Sequence, residues 1–210
     1  MTPWKLTYNN FDPEKESLRE ALCTLGNGYF GTRGAVPGTN ASKVHYPATY
    51  IAGVYNTLGT EIAKRTIYNE DFVNCPNWLM LNFRIDGGPW FNRQTVKILS
   101  WKQELNMLKG ILSRRIKWKD DKERVTLVEI HQIVSMAHPH CGALRVTLTP
   151  LNFDGAITFR SGIDGNIVNG GVDRYKQLKS NHLEPCSHGQ FGDNGVYLQM
   201  QTSQSKIQIT

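Results

Sequence analysis

From Trp78 to the end of the chain, apolar and polar residues alternate in stretch after stretch. In ILSRRIKW, Leu112, Ile116 and Trp118 fall on one face. In RVTLVEIHQIVSM, Val128, Ile130, Val134 and Met136 do the same, and in ALRVTLTP so do Leu144, Val146 and Leu148. NWLMLNFRI is an apolar run closed by Asp86-Gly87-Gly88-Pro89. AITFRSGI lies between Asp154-Gly155 and Asp164-Gly165, and VYLQMQT and SKIQIT finish the chain. Period-two alternation punctuated by Asp-Gly turns predicts antiparallel sheet. One segment has a different period. Asp12-Pro13 is a helix start, with a capping carboxylate followed by proline at the first helical position. Leu18, Ala21, Leu22 and Leu25 then recur at helical spacing, and Gly26 is the expected stop. The pattern predicts a mainly β protein: an antiparallel sandwich with one short N-terminal helix. Residues 40–77 and 166–194 show neither period and read as long irregular connections, the first of them rich in tyrosine.

Gly26-Asn27-Gly28-Tyr29-Phe30-Gly31 fits G-x-G-x-x-G, the fingerprint of a dinucleotide-binding turn. That chemistry needs a strand before the glycines and a helix after them, so that unpaired helix N–H groups meet the pyrophosphate. Here the helix comes first. Gly34, Pro37 and Gly38 prevent another from starting. The glycines are read as a sharp backbone turn, and no nucleotide cofactor is expected.

Composition narrows the classes. The chain has 210 residues, 40% of them hydrophobic, which is enough for a substantial core. No run approaches the roughly 18 apolar residues of a membrane helix. The N-terminal Met-Thr-Pro-Trp-Lys has no apolar signal region, so cytoplasm is the expected compartment. The net charge is +6. Its densest basic cluster, Ser113 to Val125, also carries Asp120, Asp121 and Glu123. It therefore reads as a hairpin with a solvated tip, and no nucleic-acid partner is expected. Cys23, Cys75, Cys141 and Cys186 are far apart and read as reduced thiols. His138, His140 and Cys141, with Cys186 and His188, are the candidates for a zinc site. Structural zinc ligands are spaced more tightly in both halves, and Pro139 and Gly142 mark a turn, so no metal is expected.

Six stretches occur in a telling order: LGNGYFGTRG (25–34), YIAGVYN (50–56), VNCPNWLML (73–81), LNMLKGILSRRIKW (105–118), VSMAHPH (134–140) and SGIDGNIVN (161–169). Together they resemble the N-terminal domain of glycoside hydrolase family 65, which includes maltose, trehalose and kojibiose phosphorylases and related hydrolases. Lys109 and Cys75 depart from the usual residues. The resemblance implies a galactose mutarotase-like β-super-sandwich filling residues 1–210, whose strand-like end SKIQIT fits either a natural domain end or a cut within a longer protein. It implies inverting cleavage of α-linked glucose disaccharides, with inorganic phosphate as co-substrate in the phosphorylases. The general acid and the phosphate-binding residues of the family lie in an (α/α)6 barrel that follows the sandwich. No residue here is carried over as catalytic. The barrel of the same chain is the expected partner, with homodimerisation as a second role.

Three groups remain as candidates from the residues themselves. Glu129 and His131 share a strand face and would suit a mutarotase-like epimerase. Their face also carries Val125, Leu127 and Ile133, so which face is core stays open. Glu70-Asp71 is the acidic pair of the tyrosine-rich region, but adjacent residues do not easily flank a glycosidic bond at roughly 5–9 Å. Trp90-Phe91, after the Gly-Gly-Pro turn, is the candidate partner surface, together with the aromatic stretch from Tyr46 to Trp78. A free-standing carbohydrate-binding module is the rival reading of such aromatics.

Overall fold

The computed structural model describes residues 3–170 and 177–210. Strand β1 (Lys5–Tyr8) precedes helix α1 (Glu16–Leu22). Three short strands follow, β2 (Leu25–Gly26), β3 (Phe30–Thr32) and β4 (Thr49–Ile51), then the hairpin β5 (Tyr55–Ile62) and β6 (Arg65–Phe72). Next come β7 (Asn77–Ile85), β8 (Lys97–Asn106), β9 (Ile111–Lys119), β10 (Val125–Val134) and β11 (Gly142–Pro150). The chain closes with β12 (Ile157–Asp164), β13 (Leu183–Phe191), β14 (Gly195–Thr202) and β15 (Gln208–Ile209). Strands hold 51% of the residues and helix 4%.

The largest sheet runs β1-β8-β9-β10-β11 and is antiparallel throughout. Its inner face meets β7, which pairs with β12. The core between them is Trp101, Ile116, Trp118, Val128 and Ile130 from one side and Phe83 and Ile85 from the other. Alternation decides this: on β10 every even residue from Thr126 to Val134 is buried and every odd one is not. The core face of β10 is thereby fixed as the Val128–Ile130 side. Met136 was expected there but lies past the strand end and is exposed.

Residues 40–77 are not an irregular connection. They contain β4, β5 and β6. The β5–β6 turn is Ala63-Lys64, with both residues at positive φ (49° and 64°). Hairpin turns of this geometry favour Asn or Gly, and neither is present to signal it. The polar stretch 166–194 likewise contains β13, while its residues 171–176 lie outside those described.

The helix departs from expectation twice. It begins at Glu16, because Asp12 instead closes the preceding turn, its carboxylate accepting from Glu14 N at 3.2 Å. It ends at Leu22, before Gly26, which is a strand residue paired with Gly31. Its orientation is also reversed. Leu18, Ala21 and Leu22 face out, while Glu16, Arg19 and Glu20 are buried.

Candidate docking face

The inner face of α1 is charged and lies near a buried cation. Arg114 of β9 is fully buried, its Nε donating to Gln103 Oε1 at 2.9 Å and its Nη2 to the Gly34 carbonyl. Burial brings its pKa down to about 10. Glu16 and Glu20 on the inner face of the helix offset part of that shift. Glu20 also holds His45, Oε1 to Nδ1 at 2.7 Å, and accepts from Tyr46 N at 2.9 Å. Arg19 pairs with Glu16 at 3.2 Å and lies 4.6 Å from the Tyr8 ring centroid. With the charged face committed inward, the leucines have nowhere to go but out: Leu18 is 60% exposed and Leu22 51%.

Arg33 joins this helix to an aromatic strip. Its Nη2 donates to Ser17 O at 2.8 Å and its Nε to Tyr46 O at 2.9 Å. The Tyr46 and Tyr50 hydroxyls meet at 3.3 Å. Tyr50 stacks on Phe72 with centroids 5.0 Å apart, and Phe72 on Tyr55 at 5.1 Å. Phe72 is 38% exposed and Tyr55 48%. Beside the strip, an open depression of about 430 Å³ is lined by Tyr29, Tyr50, Phe72 and Arg33, with Gly26, Gly28 and Gly31 contributing backbone. Burial and the Tyr46 hydroxyl both push the Tyr50 phenol up, so it stays neutral and can donate. Large exposed apolar side chains gathered in this way mark an interaction surface.

The glycine turn is built by Asn27. Its Oδ1 accepts from Tyr29 N (3.0 Å) and Phe30 N (3.1 Å), while its Nδ2 donates to Ser135 O (2.6 Å) and Pro139 O (2.9 Å). The turn thus becomes a pin onto the loop after β10. The strand–turn–helix geometry of a dinucleotide site is not what these residues form.

The remaining candidates are scattered. Glu129 and His131 lie on the outer face of β10, and Glu129 sits 3.4 Å from Arg115 across the strand pair. The cavity of about 490 Å³ between the sheets is lined by Trp101, Trp118, Phe83, His45 and Arg93, and no carboxylate among the described residues faces it. That cleft therefore lacks an acid–base pair. Glu70 is exposed on β6. Asp71 is not a free loop acid: it lies 3.1 Å from Nε2 of the buried His182, whose Nδ1 faces Asn56 Nδ2 at 3.1 Å. His138, His140 and Cys141 are exposed in the turn before β11, and Cys186 and His188 are exposed on β13. Among the described residues no three such ligands gather. Trp90 and Phe91 have different ring partners. Phe91 packs on Phe83 (5.0 Å) and Trp118 (4.6 Å), while both Trp90 and Phe91 line the cavity of about 490 Å³. Trp90 is half-buried against Arg84 and Arg160.

The sequence hid α1's outward face because helical spacing shows that a leucine face exists, not which way it points. Tyr46 to Trp78 was legible as aromatic, but the stacking of Tyr50, Phe72 and Tyr55 needs the missed hairpin.

The fold is an antiparallel β-super-sandwich. A solved structure described as a putative kojibiose phosphorylase from human microbiome superposes with a TM-score of 0.81 at 20% identity, covering 96% of this chain and 26% of that one. Residues 6–210 match the family model "Glycosyl hydrolase family 65, N-terminal domain", and the chain belongs to that family. An uncharacterized glycosyl hydrolase, Rv2006 of Mycobacterium tuberculosis, is 46% identical over 99% of this chain and 16% of its own length. A kojibiose phosphorylase of Thermoanaerobacter brockii is 29% identical over 98% of this chain and 25% of its own. The chain thus spans about a quarter or less of the relatives it matches. No helix among the described residues is long and apolar enough to cross a membrane.

Proposed function

We propose that this chain is the non-catalytic N-terminal domain of a family 65 enzyme that cleaves α-linked glucose disaccharides with inversion. A barrel in the same polypeptide supplies the general acid and, in a phosphorylase, binds the phosphate. This domain docks on it through Leu18, Leu22, Tyr50, Phe72 and Tyr55 and shapes one side of the active-site mouth. The observation that carries the reading is coverage: nearly all of this chain aligns with about a quarter or less of each relative. The exposed apolar face supports it, since a face of this kind is buried in a working assembly. The outward position of Glu129 and His131 gives the epimerase reading no support. Cytoplasmic residence belongs to the same proposal.

A hydrophobic dye tests the docking face. The chain should bind it, and Leu22→Glu with Phe72→Asp should abolish most of that binding at an unchanged melting temperature. Dye binding that is absent, or that survives both substitutions, would refute this face as the docking surface.

A further inference from the structure

The outer side of β7 and β12 gathers positive charge that the docking face does not use. Phe83 and Ile85 of β7 point to the core, so Asn82 and Arg84 point away. The register pairs Thr158 with Arg84 and Arg160 with Asn82, which sets Arg160 diagonally beside Arg84 on that outer side. Both guanidinium groups lie against one ring: Arg160 is 4.3 Å and Arg84 5.1 Å from the Trp90 centroid. Like charges on adjacent strands repel, and the indole quadrupole offsets only part of that.

Carboxylates do not offset the rest. Asp120 and Asp121 line an adjacent cavity of about 410 Å³ together with Arg84, Trp90, Lys122 and Arg124. Asp120 is committed to Arg124 at 2.8 Å. Asp86 faces Arg124 at 3.4 Å and accepts from Ala156 N at 2.9 Å. Of the carboxylates among the described residues that line this cavity, Asp121 is the one left to face Arg84 and Lys122. Among the described residues neither Arg84 nor Arg160 has an ion-pair partner, and Arg84 Nε is buried without a hydrogen bond.

We propose that Arg84 and Arg160, presented on Trp90, bind a phosphate dianion, free or carried on a sugar. Guanidinium forks match phosphate oxygens two at a time. This inference stands on the local geometry and does not depend on the docking reading.

Calorimetric titration at constant ionic strength tests it, with inorganic phosphate, glucose 6-phosphate and glucose as probes. Saturable heat is expected from at least one phosphate probe and none from glucose. Equal affinity for the two phosphates identifies the free anion as ligand, while tighter glucose 6-phosphate identifies the ester. Arg160→Gln should weaken binding by about tenfold or more, which is one factor of 1.4 kcal/mol. Arg84→Gln should do the same, with the melting temperature of each unliganded variant as the check on folding. Since Arg160 is exposed, its variant carries the test if Arg84→Gln misfolds. Heat from neither phosphate, or affinity unchanged in Arg160→Gln, would overturn the proposal.

Discussion

Replacing Asn27 by alanine should unpin the glycine turn. The side chain makes four hydrogen bonds, two to backbone N–H groups within the turn and two to carbonyls of the loop after β10. Each such bond contributes about 0.5–1.5 kcal/mol net. The Tyr29 N–H lies at an exposed residue and can turn to water, so its loss costs least. The carbonyls of Ser135 and Pro139 lose a donor that spans more than a hundred residues of sequence. Three full bonds and a discounted fourth sum to about 2–5 kcal/mol, which for a domain of this size lowers the melting temperature by about 4–20 °C. Urea denaturation should report the same loss with an unchanged m-value, since the compact state is not altered. Asn27→Asp separates the two halves. It keeps the acceptor for Tyr29 and Phe30 but puts a carboxylate against two carbonyl oxygens, so it should cost at least as much as alanine. A loss below about 0.5 kcal/mol in both variants would refute the pin.

The glycines on either side should behave differently from each other. Gly28 has φ +85° with open space around its Cβ position, so Gly28→Ala should cost about 1 kcal/mol of backbone strain. Gly31 has no such φ and an added methyl would make only ordinary contacts, 3.6 Å to Leu25 O, so its alanine variant should melt within error of the parent. His182 predicts a pH dependence. Burial lowers its pKa from 6.5, outweighing the Asp71 carboxylate, so the folded chain prefers the neutral ring. The unfolded chain then binds the proton first as pH falls. The contribution is complete above about pH 6.5 and is lost as pH drops below it toward the folded pKa. His182→Gln should flatten the melting temperature over that window, and an unchanged slope would count against the assignment.

How far the chain could be read follows from what each signal encodes. The strands from β7 to β12 announce themselves because one face is core and the other is not, and Asp86-Gly87 and the Asp120–Glu123 tip mark their turns. The β5–β6 hairpin stayed hidden behind Ala63-Lys64, since non-glycine residues at positive φ carry no sequence mark. The direction of α1 was invisible for another reason. Its buried carboxylates find partners that the helical period does not encode, Glu20 meeting His45 and the Tyr46 N–H some 25 residues away. The packing of Phe91 was not legible either: only its partners across the sandwich, Phe83 and Trp118, say which way a ring after a turn will fold. The family likeness was legible, because it rests on ordered local motifs and not on orientation.

The central claim is that the 210-residue chain contributes structure but no chemistry to the glycosidic reaction. The purified chain, incubated with kojibiose, trehalose or maltose and inorganic phosphate, is assayed for glucose 1-phosphate and, without phosphate, for glucose. The account predicts neither product above a control preparation carried through the same purification. Sustained turnover that tracks with the chain through successive columns would contradict it, and would place a general acid within the sandwich itself.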